Sequence, residues 1–462
     1  MSLEAGLSIG PLFCFADRQL LICSLDRERK IVPRRIGVPG PARKLVYSPH
    51  LHRLILAYDK VEVEEPSRPG DITTRSCLVF VLPDAQEPVN PLDQPSVPRA
   101  SPGERITCMM DWMFERDGHM YHLIAIGTGL SATIDFGPRG RLILMSTPRD
   151  PQDPSHVRFV TKHVQECLDG PVRSIAAYGN TLLICTGRII RPVAPSGASI
   201  KWASNTWQEL PSPAVAITVS KPFVYVTTAR HGFVVLEVLE DGNGHHVLKL
   251  RAHDSKPLDG LTHYVTSGEP SLAFLSTRGG NVRAGRLSSS IELRTTQVFA
   301  LPAPEEASIC DSILQFVPSS KGDIFPKSSV ERGGAIYGIA LNGSVCRFSI
   351  LREDETRLLL ALQDLCRKDE ALYASLAARE KRKKPIWADS KDNPQVDGDL
   401  LIRLARRRAD YLEDRIHALD QQRDSPIYDS FMRNAALKAL GPSDSYAQQV
   451  VGWLRQLLHV EI

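Results

Sequence analysis

Short runs of apolar and β-branched residues, bounded by turn formers, fill the chain as far as about Ile350. They fall at 8–15, 19–25, 43–48, 53–58, 77–82, 106–112, 122–127, 141–146, 157–164, 172–178, 181–186, 199–202, 215–219, 223–228, 232–238, 247–250, 272–276, 281–286 and 308–316. Evenly spaced short strands of this kind indicate an antiparallel all-β architecture. A single sandwich cannot absorb so many strands, whereas a β-propeller with blades of roughly 40–45 residues takes about seven in this span. The pattern therefore predicts a mainly β chain whose first domain, residues 1–351, is a propeller. Its last hairpin is marked by Asn342-Gly343 between apolar runs, a pair that predicts a type I′ turn. Three polar interruptions read as loops: 62–75, 318–332 and a Pro-rich stretch at 83–103 with prolines at 83, 88, 91, 95, 98 and 102. No exact internal repeat and no Trp-Asp blade signature is present.

From Glu353 the period changes from strand-like to helical. Leu358, Leu362, Leu365, Leu372 and Leu376 lie on one face of a helix that opens on Glu353, Asp354 and Glu355 and closes on Arg379, Lys381, Arg382, Lys383 and Lys384. Pro385 stops it. An Asp in Val396-Asp397-Gly398-Asp399 caps the next helix, whose stripe is Leu401, Leu404, Ala405, Leu412, Ile416 and Leu419. Ser443 starts the last one, with Ala447, Val450, Val451, Leu454 and Leu458 facing inward. Residues 352–462 are thus a small C-terminal helical domain, in which Leu358, Leu362, Leu365, Leu404, Leu412, Leu454 and Leu458 are expected to share one apolar interface.

Composition narrows the function classes. Against 56 Lys and Arg stand 53 Asp and Glu, a net charge of +3 over 462 residues, which carries no general signal for a polyanion partner. The nine cysteines, at 14, 23, 77, 108, 167, 185, 310, 346 and 366, form no Cys-x-x-Cys pair and several sit inside apolar runs. They read as buried free thiols in a reducing compartment. No run of about 18 apolar residues and no secretory leader is seen, so no membrane association is expected.

The candidate chemistry is sparse. His50 with His52, His119 with His122, and His245 with His246 supply too few ligands at each place for zinc, and Cys167 near His163 has no third ligand in sequence. No Gly-x-Ser-x-Gly elbow marks a nucleophile. Gly242-Asn243-Gly244 and Gly279-Gly280-Asn281 lack the strand and helix of a phosphate loop and read as β-turns. The basic clusters 379–384 and Arg403, Arg406, Arg407 and Arg408 share their region with Asp410, Glu413, Asp414, Asp420 and Asp424, and so read as a salt-bridged face. No residue is singled out as catalytic, cofactor-binding or metal-ligating, and none as a partner contact. The chain reads as a non-enzyme without a cofactor, and a small-molecule substrate is not expected.

One resemblance adds to this. The Gly-rich hairpin, the long helix, Val396-Asp397-Gly398-Asp399-Leu400-Leu401 and Ser445-Tyr446-Ala447-Gln448-Gln449-Val450-Val451-Gly452-Trp453-Leu454 resemble the C-terminal third of the damaged-DNA-binding protein large subunit. That family includes the large subunit of the cleavage and polyadenylation specificity factor and a spliceosomal propeller subunit. Pro41-Ala42-Arg43-Lys44-Leu45-Val46-Tyr47, Gly103-Glu104-Arg105-Ile106-Thr107-Cys108-Met109 and Asp169-Gly170-Pro171-Val172-Arg173-Ser174-Ile175 look like its blade openings. Relatives carry three propellers and a helical domain, and this chain matches the last propeller and that domain, so cullin docking by the middle propeller does not carry over. The resemblance implies a nuclear scaffold, present in the cytoplasm as a second location, that binds proteins through its propeller surface in a ubiquitin-ligase adaptor role. The alternative it implies is a subunit of a pre-mRNA 3′-processing or splicing complex, with nucleic acid contacted mainly through partners.

Overall fold

A computed structural model describes residues 12–16, 19–25, 31–63, 72–82, 103–130, 138–149, 157–167, 169–196, 199–202, 207–240, 246–254, 258–266, 272–287, 299–300, 305–308, 311–318, 335–349, 351, 353–368, 372, 396, 398–423 and 427–458. The chain is mainly β with a small helical region at its C-terminal end. It divides into two compact units: Met1–Glu305 with Ile309–Phe316 and Gly338–Val345, and Glu306–Ser308 with Val317–Tyr337 and Cys346–Ile462.

Among the described residues, seven small sheets follow one another along the chain. The first holds β1 (Leu12–Ala16), β2 (Gln19–Leu25) and β3 (Ile31–Gly37), and the second β4 (Ala42–Ser48), β5 (Arg53–Val63) and β6 (Ile72–Val81). The third is β7 (Arg105–Arg116), β8 (His119–Gly129), β9 (Gly140–Ser146) and β10 (Val160–Cys167). The fourth is β11 (Val172–Tyr178), β12 (Thr181–Thr186), β13 (Ile189–Ser196), β14 (Ser199–Trp202) and β15 (Gln208–Glu209). β16 (Ala214–Ser220), β17 (Phe223–Thr228), β18 (Gly232–Glu240) and β19 (His246–His253) make the fifth, and β20 (Gly260–Val265), β21 (Leu272–Thr277) and β22 (Asn281–Arg286) lead the sixth. The short β23 (Phe299–Ala300) adds to the fifth in parallel beside β19, and β24 (Glu305–Ser308) adds to the sixth. The last sheet is β25 (Ile313–Pro318), β26 (Ala335–Ala340) and β27 (Val345–Ser349).

Consecutive sheets pack face to face. Ile55, Ala57, Leu78 and Phe80 of the second meet Ile106, Ile124, Ile126 and Ile143 of the third. Trp112, Ala125 and Leu142 on the other side of that sheet meet Val172, Leu182 and Ile184 of the fourth, and the same alternation carries on to the fifth and sixth. Middle strands bury both faces, which is why they read as unbroken apolar runs such as Leu182-Leu183-Ile184-Cys185. The first strands β4, β7, β11, β16 and β20 neighbour one another in that order.

Each of these five strands carries the same irregularity. Register slips by one residue between Ala42 and Lys44, Ile106 and Cys108, Val172 and Ser174, Ala214 and Ala216, and Gly260 and Thr262. One bulged residue at the second or third position bends and twists the strand where it enters its sheet. Three of the strands are entered through Pro41, Pro171 and Pro213, whose carbonyls accept from Asp59, Gly187 and Ala229 at 2.9, 3.4 and 2.8 Å. A structural repeat is therefore present although the sequence shows no exact one.

Several expectations are corrected. The interval 62–75 is not simply a loop: β5 and β6 extend into its two ends, pairing Glu62 with Thr73 and Val63 with Ile72, because β-branched residues there sustain the ladder. Strands β3, β13, β15, β20 and β23 lie outside the predicted runs. At Asn342-Gly343 the hairpin forms, but only Gly343 has positive φ. Ala340 N–H donates to Ser344 at 2.9 Å, closing a three-residue loop in which Asn342 Oδ1 accepts from Ser344 N–H at 2.7 Å. That is a type I turn with a glycine bulge, not type I′. The Pro-rich stretch lies outside the described residues except Gly103.

The helical unit has α1 (Glu353–Arg367), α2 (Gly398–Ala405), α3 (Ala409–Arg423), α4 (Ile427–Leu440) and α5 (Tyr446–Leu458). One core joins them: Leu358, Leu362, Leu365, Leu404, Leu412 and Leu454 are buried together and Leu458 packs on its margin, as the helical stripes predict. The helix expected across 399–419 is two helices. Arg455 of α5 donates to the carbonyls of Ala405 and Arg407, both at 2.9 Å, and so satisfies the end of α2 before α3 starts. Helix α4 went unpredicted because its buried face is Met432, Ala436 and Ala439, a weakly apolar stripe, while Phe431 and Leu437 are exposed. Gly441, with φ of 91°, ends α4, and Ser445, not Ser443, caps α5 through Gln448 N–H at 3.4 Å. No helix among the described residues is long and apolar enough to cross a membrane.

Candidate functional site

Among the described residues, β7–β8 is the hairpin with the longest paired ladder. Its turn is Asp117-Gly118, both at positive φ, a type I′ pair that closes on Arg116 opposite His119. Alternation puts Trp112, Phe114 and Tyr121 on one face, stacked ring on ring at 4.2 and 5.3 Å. Asp111, Met113, Glu115, Met120 and His122 lie on the other, with Met113 paired to His122 and Glu115 to Met120. The hairpin end is held by the neighbouring β11–β12 turn, where Asn180 donates to the Glu115 carbonyl at 2.7 Å and accepts from its N–H at 3.3 Å. One side-chain amide here takes the place of a strand neighbour.

On the polar face, a charged residue inside an otherwise apolar strand must find a partner. Asp111 does so in His122, whose Nε2 meets the carboxylate; the side chains are only 10% and 9% exposed. The other ring nitrogen, Nδ1, lies 3.1 Å from Thr147 Oγ1. With the proton on Nε2, the ring donates to Asp111 and accepts from the threonine. From the second sheet, Ser48 Oγ reaches to 3.4 Å of the same Nε2, and His50, in the β4–β5 turn, lays its ring on that of His122 with centroids 4.4 Å apart and planes tilted by 35°. Burial, together with His122, Arg149 and His52, holds the His50 pKa below the ordinary imidazole value, against the opposing pull of Asp111.

Ser, His and Asp in contact invite comparison with a hydrolase, and the geometry answers it. A nucleophilic relay needs the acid on one imidazole nitrogen and the hydroxyl on the other. Here both Ser48 and Asp111 address Nε2, and Ser48, fully buried, also accepts from Leu51 N–H at 3.3 Å. The cluster joins two sheets.

The histidines grouped by sequence separate in space. His50 and His122, from two different pairs, come together; His52 and His119 are exposed. His246 bonds Thr181 Oγ1 at 3.0 Å and meets Tyr178 edge-on. His163 faces Gln165 at 3.4 Å, and burial pushes the Cys167 thiol up to about 12, as it does Cys108, so neither is a ready nucleophile. Gly279-Gly280 forms the β21–β22 turn, with Gly280 N–H donating to Thr277 at 3.2 Å. Arg403 donates to the Leu372 carbonyl at 3.2 Å, while Arg406, Arg407 and Arg408 are exposed between α2 and α3. His245, Gly242-Asn243-Gly244 and the cluster 379–384 lie outside the described residues. Among the described residues no three His, Cys, Asp or Glu are placed to hold a metal ion.

Sequence reading missed one histidine seat and one acid. His263 is fully enclosed between Thr218 and Thr227, each hydroxyl 2.7 Å from one ring nitrogen, and burial drives its pKa down to about 3. Asp111 passed as part of a strand, although a carboxylate within Cys108-Met109-Met110-Asp111-Trp112-Met113 is itself the signal. Buried ion pairs complete the polar framework, with Arg141 gripping Glu104 through two bonds of 2.7 Å and Arg251 paired to Glu237. No family model matches this chain, and no curated protein matches it.

Proposed function

We propose that the chain is a non-catalytic protein-binding scaffold whose successive sheets are the blades of a β-propeller, in the manner of the damaged-DNA-binding and cleavage-specificity-factor family it resembles. The observation that carries this reading is the order of the first strands, β4, β7, β11, β16 and β20, each neighbouring the next and each entered through the same bulge. Inner strands ranged around an axis, with sheets stacked face to face, are the arrangement of propeller blades. Such a body presents strand ends and hairpin turns to partners. The β7–β8 end offers an apolar surface, with Met113 44%, Met120 61% and Tyr121 44% exposed.

In this reading the protein works in the nucleus and reaches nucleic acid through its partners. Affinity purification of the tagged chain with mass spectrometry tests it. Substrate receptors and other ubiquitin-ligase components support the adaptor role, and 3′-processing or splicing factors assign the chain to the alternative branch. A chain that recovers no partner above control, or one whose recovery is untouched when Met113 and Met120 are both changed to Ser, overturns the use of this surface.

A further inference from the structure

We propose that the stacked His50–His122 pair is an acid-released latch that fastens the β4–β5 turn of one sheet to the β7–β8 hairpin of the next. The turn spans residues 49–52, and three contacts fasten it to its surroundings. Leu51 is buried among the apolar side chains between the two sheets, its N–H is held by Ser48, and the His50 ring lies on His122. His52, with φ of 52°, gives the turn a left-handed, locally strained residue. A short turn with three of its four residues exposed opens locally at lower cost than the sheets it joins.

The charged and titratable groups around His50 come from every element that faces it. His122 stands on β8, Asp111 on β7, Arg149 beyond β9, and His52 in the turn itself. Of these only Asp111 favours a charge on His50, and its carboxylate is already engaged by His122. Neutral rings stack without penalty. A proton on His50 sets a positive charge against His122 and near Arg149, and lifting the turn away relieves that repulsion.

The direction of the pH effect follows. In the open turn His50 has the ordinary imidazole pKa, about 6.5, and in the closed turn a lower one. Protons therefore bind the open form better. The latch is at full strength above about pH 6.5, weakens as pH falls through the interval down to the lowered value, and loses no more below it. His122 itself is served by Thr147 in either protonation state, since a hydroxyl both donates and accepts. It is the fixed half of the latch. This inference does not depend on the scaffold reading.

Hydrogen exchange of the full chain, followed by mass spectrometry and corrected for intrinsic rates, tests it at about pH 7.5 and about pH 5. A peptide covering 47–54 is expected to lose protection at the lower pH, while peptides from α5 stay unchanged. The loss should track the titration of the His50 ring protons by NMR. His50→Phe keeps a flat ring and takes no proton, so its turn should stay protected at both pH values. Equal protection of the wild-type turn at the two pH values, a loss out of step with the His50 titration, or a His50→Phe turn as acid-labile as the parent would each overturn the latch.

Discussion

His122 and His263 occupy the same kind of place, a seat in which an imidazole bridges strands on the flank of a sheet, and they are furnished in opposite ways. His263 has two threonine hydroxyls, no acid within bonding distance and a Phe233 ring edge-on at 5.2 Å. Burial keeps it neutral far below its ordinary range. His122 has a carboxylate on one nitrogen, a hydroxyl on the other and a second, exposed histidine on its face. The same residue type thus serves as an inert polar staple where it is sealed, and as half of a responsive contact where an acid and an open turn adjoin it. Neither ring alone decides between these roles; its enclosure does.

The largest expected effect is on the sealed seat. His263→Ala should cost about 3–5 kcal/mol, from a cavity plus two stranded threonine hydroxyls, and His122→Ala distinctly less, because water can reach part of that seat. Urea unfolding of the two variants compares them directly; equal costs would erase the contrast. Next comes acid lability. Because the folded pKa of His263 lies near 3 and the unfolded one near the usual imidazole value, the unfolded chain binds the extra proton. Stability of the β-rich unit should be full above about pH 6.5 and fall as pH drops towards 3. His263→Gln should flatten that fall while lowering stability throughout, as thermal melts across pH would show. An unflattened fall would mean that other groups carry it.

Smaller effects sharpen the other side. Asp111→Asn keeps the shape but removes the charge-assisted bond, for an expected loss of about 1–2 kcal/mol by urea titration. A loss of 4 or more would make Asp111 a structural keystone on a par with His263. His50→Gln, at an exposed turn, should change global stability by only about half a kcal/mol, even as it alters the local opening of that turn. A global loss as large as that of Asp111→Asn would merge latch and core into one unit.

The helical stripes were legible because each helix buries one side only: Leu358, Leu362 and Leu365, or Val450, Val451 and Leu454, declare their faces through spacing alone. Helix α4 escaped because alanines line its inner face. Strands were legible for the contrary reason, since burial on both sides leaves them apolar throughout, yet that same uniformity hid the register. Arg43, Thr107, Arg173, Val215 and Leu261 have no residue type common to all five, and they share a bulge because the backbone, not the side chain, repeats there. Gly40-Pro41-Ala42 and Gly170-Pro171-Val172 were its faint trace. The His50–His122 contact was out of reach of local pattern, because it joins a turn to a strand 72 positions away through the packing of two sheets.

The Asn180 clip on Glu115 has a mechanical side. A hairpin rooted only in its own sheet is a cantilever, and bending at its tip grows steeply with its free length. Two bonds from Asn180 at Glu115, one residue short of the closing pair Arg116–His119, prop that beam almost at its tip. A push on Met120 is therefore passed in part sideways, through Asn180, into the β11–β12 turn.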